Sequence, residues 1–350
     1  MSFRRVFAAA GVLALVAATV PANAQDKPAG AQDKPAAPEQ QQRKLSGDER
    51  KEYIALSALV DDVMSGKQPA PADLKLKFQH HFLKSAKNVY VPYMLEISGG
   101  TFSSYPVTMY VRAVRKDAAA PPAPAKGVET TWPFADVYFL TEKNVTTTGD
   151  TSELGRALEL APGEYTLYIA MRERQPKDRK QLPKTVVLAQ PVTVPDLNAG
   201  LTTSSVILAK ALDPAPEQLT GQQQLEQPFT ISGYRVVPSF GAPIPMSGEL
   251  MFVFFIYNEG VAASGKPDLD VDYQFYRANE DKAFTRLATQ SFNATTLPGQ
   301  FDLNLGHQVF VGQGIPVKDA FKPGEYRLEI KVTDKTNGQT VTRNVPFTVS

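Results

Sequence analysis

An internal repeat constrains the fold of this chain more than any other feature of its sequence. The tetrapeptide Pro162–Tyr165 returns as Pro323–Tyr326, 161 residues later. At the same offset, the apolar run Val89–Leu95 matches the run Leu250–Ile256. Several matches in one register indicate a duplication. The two halves of the chain are therefore predicted to form tandem domains with one shared fold.

Alternating apolar residues indicate what that shared fold is. Beyond residue 70, four segments alternate with a period of two, and they begin at Val107, Tyr165, Leu269 and Tyr326. Turn residues separate such segments at the spacing of a β-sandwich. We predict an all-β fold with sandwiches at residues 67–197 and 228–350. The linker at 198–227 contains an apolar segment, 204–209, that we expect to dock as a strand on the first sandwich.

The repeated tetrapeptide has its own structural interpretation. In each copy, Pro and Gly favour a turn, and the strand that follows begins with Tyr. This pattern resembles the tyrosine corner of immunoglobulin-like and fibronectin type III-like domains, in which a tyrosine hydroxyl returns to nearby backbone. The resemblance implies two tandem immunoglobulin-like sandwiches. The residues that carry it are Pro162, Gly163, Tyr165, Pro323, Gly324 and Tyr326.

The first 66 residues predict export followed by a tether and a helix. Residues 1–24 combine two arginines, an apolar run and a small-residue cleavage pattern, which together are typical of a signal peptide. Residues 25–45 are a Pro-, Gln- and Ala-rich near-repeat, which predicts a disordered tether. Ser46 and Glu49 form a capping-box pattern that predicts one short helix at 46–66. Export of a chain without Cys favours a bacterial protein that is periplasmic or secreted.

Composition excludes several classes of function. The 37 basic and 36 acidic residues give a net charge of +1, without the basic excess that nucleic-acid binding needs. The chain has no Cys and three His, and it lacks a hydrolase elbow, a phosphate loop and a dinucleotide fingerprint. We therefore predict no enzyme activity and no cofactor. No segment of the mature chain reaches the ~20 apolar residues of a membrane span.

Aromatic residues provide one candidate ligand-binding group. Trp132 lies near Pro-rich sequence, and Tyr105 and Tyr110 lie on or near a neighbouring strand. Carbohydrate-binding sandwiches stack sugars on exposed aromatic rings, so these three residues are predicted to bind a ligand. In the other interpretation, Trp132 and Phe134 fill the core of the first sandwich.

A row of aspartates provides a candidate metal site. Asp268, Asp270 and Asp272 alternate with apolar residues, so their carboxylates are predicted to share one face of a strand. Carboxylate oxygens are ligands for Ca²⁺. The other interpretation is an ordinary solvated face of a half-buried strand.

Framework motifs give the chain a family likeness. Val192–Asp196, Ser204–Leu208, Ile330–Asp334 and the two tetrapeptides resemble motifs of exported bacterial sandwich proteins of acidobacterial type, whose activity is not established. The resemblance implies a fold and a compartment only. We predict a non-enzymatic structural or interaction module of the cell envelope that acts through contacts with an envelope or extracellular protein. The alternative is a protein that binds polysaccharide through exposed aromatics around Trp132.

Overall fold

The computed structural model describes residues 45–117, 132–175, 180, 182–215 and 219–350. The signal peptide and nearly all of the tether predicted from the sequence lie outside these residues. The described chain forms two compact units: residues up to 197 together with 219–228, and residues 198–215 together with 229–350. In this part of the chain, no helix is both long enough and apolar enough to cross a membrane.

Helix α1 (Gly47–Met64) is the predicted short helix. Ser46 Oγ accepts a hydrogen bond from the Glu49 amide at 3.3 Å, and the Glu49 carboxylate accepts one from the Ser46 amide at 2.8 Å. This reciprocal capping box pairs two of the amides that the first turn leaves without a partner. Gly66 follows the helix with φ of +71°, a conformation that favours glycine and ends the helical path.

The first sandwich consists of two antiparallel sheets. Sheet A has four strands, in the spatial order β5 (Phe134–Leu140), β4 (Val107–Arg115), β8 (Gly163–Arg172) and β9 (Thr185–Val194). Sheet B has five strands, in the order β1 (Lys75–His80), β3 (Asn88–Ser98), β7 (Thr151–Leu160) and β6 (Thr146–Thr148), with β2 (Leu83–Ser85) also paired to β3. The short helix α2 (Gly221–Glu226) belongs to this unit and packs near β7.

The second sandwich repeats this plan. Sheet D has four strands, in the order β16 (Gln290–Phe292), β15 (Leu269–Arg277), β18 (Gly324–Asp334) and β19 (Thr340–Val349). Sheet C has six strands, in the order β10 (Thr202–Thr203), β14 (Glu249–Tyr257), β11 (Ile207–Pro214), β13 (Tyr234–Pro238) and β12 (Thr230–Ile231), with β17 (Val309–Pro316) also paired to β14. Helix α3 (Val317–Ala320) joins β17 to β18.

The predicted all-β sandwich fold is confirmed, and the predicted alternation locates its cores. In β15, the side chains of Leu269, Val271, Tyr273 and Phe275 are all buried, as the period of two requires. The prediction that the apolar segment 204–209 docks on the first sandwich is wrong. The strand that it forms, β11, pairs with β13 and β14 of the second unit. Its apolar residues pack against the second core. The Pro- and Gln-rich sequence that follows it makes the whole region look like a linker.

Both tyrosine hydroxyls return to the backbone four residues upstream. Tyr165 Oη donates to the Ala161 carbonyl at 3.0 Å, and Tyr326 Oη donates to the Lys322 carbonyl at 2.8 Å. Gly163 precedes the first of these tyrosines with φ of +149°, and its counterpart in the second copy has the same value. Side chains other than glycine's rarely adopt this backbone conformation. The repeated tetrapeptide therefore makes the same corner twice.

The constant offset of 161 residues does not hold through the whole repeat. Arg115 pairs with the first corner tyrosine and Arg277 with the second, so β4 and β15 match at an offset of 162. Val89 pairs with Leu160, and Leu250 with Ile315, so β7 and β17 match at 155. Helix α3, which the first sandwich lacks at this point among its described residues, restores the offset before β18. The equal spacing of the two tetrapeptides therefore results from changes in segment length that cancel one another.

Candidate binding surfaces of the first sandwich

Helix α1 docks on the outer face of sheet A around a buried arginine. Arg112 is only 2% exposed, although it points away from the core between the sheets. Its guanidinium donates to Asp61 Oδ1, to Ser57 Oγ at 2.9 Å and to Tyr110 Oη at 2.8 Å. Leu56 and five further residues of α1 pack in the same cluster. Every nitrogen of this guanidinium thus has a hydrogen-bond acceptor, which a buried cation needs.

Trp132 lies beside this cluster and not in the core between the sheets. Its ring stacks on the guanidinium of Arg112, with 4.5 Å between the Arg112 Cζ and the ring centroid. The tryptophan stays partly exposed at the start of β5. The interpretation in which Trp132 fills the first core is therefore wrong, because the stacking partner belongs to the outer face of sheet A.

The two tyrosines do not extend the Trp132 ring into a platform. Tyr110 is 1% exposed and packs edge-on against Tyr53 of α1, so it offers no face to a ligand. Tyr105 lies just before β4, whose first residue pairs with the last residue of β5. Trp132 lies just before the first residue of β5, at the opposite end of that strand. Seven strand residues separate these ends, about 20 Å. The prediction that Trp132, Tyr105 and Tyr110 form one ligand-binding group is therefore wrong. Helix α1 covers Tyr110, and Tyr105 and Trp132 lie at opposite ends of β5.

The three aspartates of the candidate metal row have protein partners. Lys335 Nζ lies 3.0 Å from Asp268 and 3.1 Å from Asp270. Asp270 also accepts a hydrogen bond from Ser291 Oγ, and Asp272 accepts one from a threonine hydroxyl. The Ser291 bond and then Lys335 hold the pKa of Asp270 below its usual value. Among the residues that the structure describes, no group of three or more His, Asp or Glu converges to hold a metal ion.

Two adjacent histidines lie at the end of β1. Burial lowers the pKa of His80, whose ring stacks on Phe78 at 5.0 Å. Burial, reinforced by the neighbouring His80, lowers the pKa of His81 to about 4. Both imidazoles are therefore neutral near pH 7, and they act as packing groups of the first sandwich.

Edge strands decide where a partner can extend a sheet. At one end of β9, Val187 donates its amide to the Pro71 carbonyl at 2.9 Å and Ala72 bridges to Val186. At one end of β19, Ile244 bridges to Val349. No described strand pairs with the outer side of β5. Its amide at position 137 instead donates to the carboxylate of Asp136 at 2.8 Å.

Comparison with known proteins gives little further information. A scan of protein-family models found no match, and a search of curated proteins found no match either. A search of solved structures matched a cryo-EM reconstruction of the native conformation of E. coli alpha-2-macroglobulin. The TM-score is 0.21 and the sequence identity is 12%, and the match covers 81% of this chain and 15% of that one. The chain thus spans a small part of the length of the structure that it matches.

Proposed function

We propose that this protein is an exported, non-enzymatic interaction module of a bacterial cell envelope, and that it binds a partner protein through the β5 side of its first sandwich. The observation that carries the proposal is the outer side of β5, which has no partner strand in the described chain. An unpaired strand edge offers a row of backbone donors and acceptors to an added strand. Strand addition is therefore the contact that this geometry favours.

The long edges on the opposite side of each sandwich are less suitable for a partner strand. Strands β9 and β19 contain Pro191 and Pro346, and proline cannot donate a backbone hydrogen bond. Preceding segments of the chain also cover one end of each of these strands. Strand β5 contains neither proline nor lysine. Trp132 lies immediately before it and provides a large ring at one end of the proposed contact.

Export and the lack of catalysis are part of the same proposal. The signal-peptide pattern of residues 1–24 and the likeness to acidobacterial-type exported sandwich proteins support a periplasmic or secreted location. The aromatic and acidic candidates described above provide neither a nucleophile with a base nor a metal centre. Polysaccharide binding through Trp132 ranks second, because a single partly exposed ring would have to provide the whole stacking surface.

Affinity capture with a matched pair of edge variants tests this proposal. The baits are residues 25–350 with no substitution, with Ala135→Glu on β5, and with Thr342→Glu on β19. Both positions are exposed, and a charged side chain at an edge disfavours strand addition. We expect one envelope protein to be captured by the unsubstituted and Thr342→Glu baits and lost with Ala135→Glu. Equal capture by all three baits would contradict the role of β5, and retention of insoluble polysaccharide that Trp132→Ala abolishes would favour the second candidate.

A further inference from the structure

Strand β7 places an arginine between the two sheets of the first sandwich. Arg156 is 5% exposed and lies directly across from Tyr93 of β3, whose side chain is buried in the core. Leu154 and Leu158, two residues away on either side, are buried on the same face of β7. The arginine therefore takes a position that the strand otherwise gives to leucine.

The hydrogen-bonding groups of Arg156 are mostly unused. Its Nη1 donates to the carbonyl of Gly155 at 2.8 Å, and its buried Nε has no hydrogen-bond acceptor. Within the described chain, no carboxylate oxygen lies within 4.0 Å of this guanidinium. Arg112 is equally buried but has an acceptor for every nitrogen. A buried cation without an anionic partner is strongly destabilising, so Arg156 needs an explanation that Arg112 does not.

A second unpartnered polar atom lies beside it. The ring of Tyr138 on β5 is 5.6 Å from the Arg156 Cζ, measured at the ring centroid. The Tyr138 hydroxyl is buried and has no acceptor within hydrogen-bond distance. Burial first, and then the neighbouring Tyr93 and Asp136, raise its pKa well above the usual value, so the Asp136 carboxylate lies near this hydroxyl. Asp136 also faces this side of β5, and its carboxylate accepts the amide of the following residue. Two donors, the Arg156 Nε–H and the Tyr138 O–H, thus lie in one region, beside the Asp136 carboxylate, and neither has an acceptor within hydrogen-bond distance.

The two donors lie where the edges of the sheets face each other. Strand β6 covers the edge of β7 only from Thr151 to Glu153, so Arg156 is beyond its reach. Strand β5, which carries Tyr138, forms the edge of sheet A. Tyr138 as a whole residue is only half-buried. A small group can therefore approach both donors from the side of the sandwich.

The second sandwich closes the corresponding position with its own side chains. Gln290 of β16 lies across from Val271, as Tyr138 lies across from Met109 in the first sandwich. Gln290 Oε1 accepts hydrogen bonds from Tyr273 Oη at 2.9 Å and from Gln313 Nε2 at 2.7 Å. All three residues are buried. The repeat therefore shows that a polar side chain at the Tyr138 position can be paired inside the sandwich, and that the position matching Arg156 is filled by a buried valine, Val311.

We propose that Arg156 and Tyr138 form a binding site for a carboxylate. A planar carboxylate has two acceptor oxygens that match two parallel N–H groups of a guanidinium, and such charge-assisted pairs are strong. The Tyr138 hydroxyl supplies a third donor to the same group. A single negative charge fits the site better than a dianion such as phosphate, because Asp136 is close by. The site does not depend on strand addition at β5.

An NMR titration tests the site directly. The probe is the Nε–Hε resonance of Arg156 in ¹⁵N-labelled protein, assigned by its loss in Arg156→Lys, and the ligand is sodium acetate at constant ionic strength. We expect a saturable shift with acetate and none with chloride. Tyr138→Phe should weaken acetate binding about 5- to 10-fold, the effect of one hydrogen bond. Tyr273→Phe, its control in the second sandwich, should leave acetate affinity unchanged.

Two further results would overturn the proposal or identify the source of the carboxylate. If the protein is folded and the Arg156 resonance does not shift with acetate, or shifts equally with chloride, the carboxylate site is contradicted. That result would indicate that water accepts the hydrogen bonds of the two donors. A blocked five-residue peptide with a central Glu, compared with the same peptide containing Gln, distinguishes a partner chain from a free small acid. Binding of only the Glu peptide, more than tenfold tighter than acetate, indicates a protein ligand, and equal affinity of acetate indicates a small molecule.

Discussion

The two sandwiches share a framework but differ along one side, beside the edge strand β5 of the first sandwich and the edge strand β16 of the second. In the second sandwich, Gln290, Gln313 and Tyr273 pair with one another in a closed buried network. In the first, Arg156 and Tyr138 leave two buried donors with no acceptor within hydrogen-bond distance. Duplication preserved the strands, the corners and the apolar core, so this difference is not imposed by the fold. It indicates that the first sandwich keeps polar groups there for a ligand.

The outer faces of the two matching sheets differ in the same sense. Tyr110 and Arg112 of β4 are buried under α1, which docks on sheet A. The matching positions of β15 are Asp272 and Gln274, which carry no helix in the described chain and face solvent. The groups that we propose for binding therefore lie in the first sandwich, and the matching positions of β15 are polar residues at the surface.

Removing the arginine under α1 is expected to produce the largest difference between the sandwiches. Arg112→Ala deletes the hydrogen bonds to Asp61, Ser57 and Tyr110 and leaves a space beneath the helix. We expect a loss of about 3–5 kcal/mol in the unfolding free energy of the first sandwich. Denaturant unfolding followed by Trp132 fluorescence measures it, because Trp132 is the only tryptophan in the chain. Gln274→Ala, at the matching position, should change the unfolding free energy of the second sandwich, measured by calorimetry, by less than about 0.5 kcal/mol. An equal loss from both variants would contradict the difference between the two outer faces.

Mild acid should weaken the first sandwich through its buried histidine. The pKa of His81 is about 4 in the folded protein and about 6.5 in the unfolded chain, so the unfolded chain takes up the proton first. This contribution to stability is therefore present above pH 6.5 and falls as the pH drops towards 4, by about 3 kcal/mol. His81→Gln should flatten this dependence in Trp132-monitored unfolding. A variant that keeps the full slope between pH 6.5 and 4 would assign the effect to other groups.

Opening the closed network of the second sandwich should have a smaller effect. Gln313→Leu introduces the residue type found at the matching position, Leu158, and removes one hydrogen bond from Gln290. Gln290 keeps its bond from Tyr273, so we expect a loss of about 1 kcal/mol, measured by calorimetry of the second transition. Acetate should still leave this transition unchanged. Acetate stabilisation of Gln313→Leu would mean that any opened network at this position binds carboxylates.

Sequence alone predicted the framework better than the site. Alternation located β4, β8, β15 and β18, and the capping box located α1, because both signals are local. The register within the repeat was not predictable, because one extra residue before β15 and the residues of helix α3 lengthen the second copy, and a shorter stretch between β15 and β17 cancels both in the total offset. Tyr110 failed as a ligand residue because its exposure depends on where α1 docks, which no local pattern states. An arginine in the inward row of β7, between two leucines, was a readable signal for Arg156.

The stability of Arg156→Met, with and without acetate, tests the proposed carboxylate site most directly. Calorimetry and Trp132 fluorescence compare it with the unsubstituted protein. We predict that Arg156→Met raises the unfolding free energy of the first sandwich by about 1 kcal/mol without acetate, because it removes a buried unpaired charge. Acetate should then stabilise the unsubstituted first sandwich and have no effect on the variant. A variant that is less stable than the unsubstituted protein, or equally stabilised by acetate, would contradict a carboxylate site at Arg156.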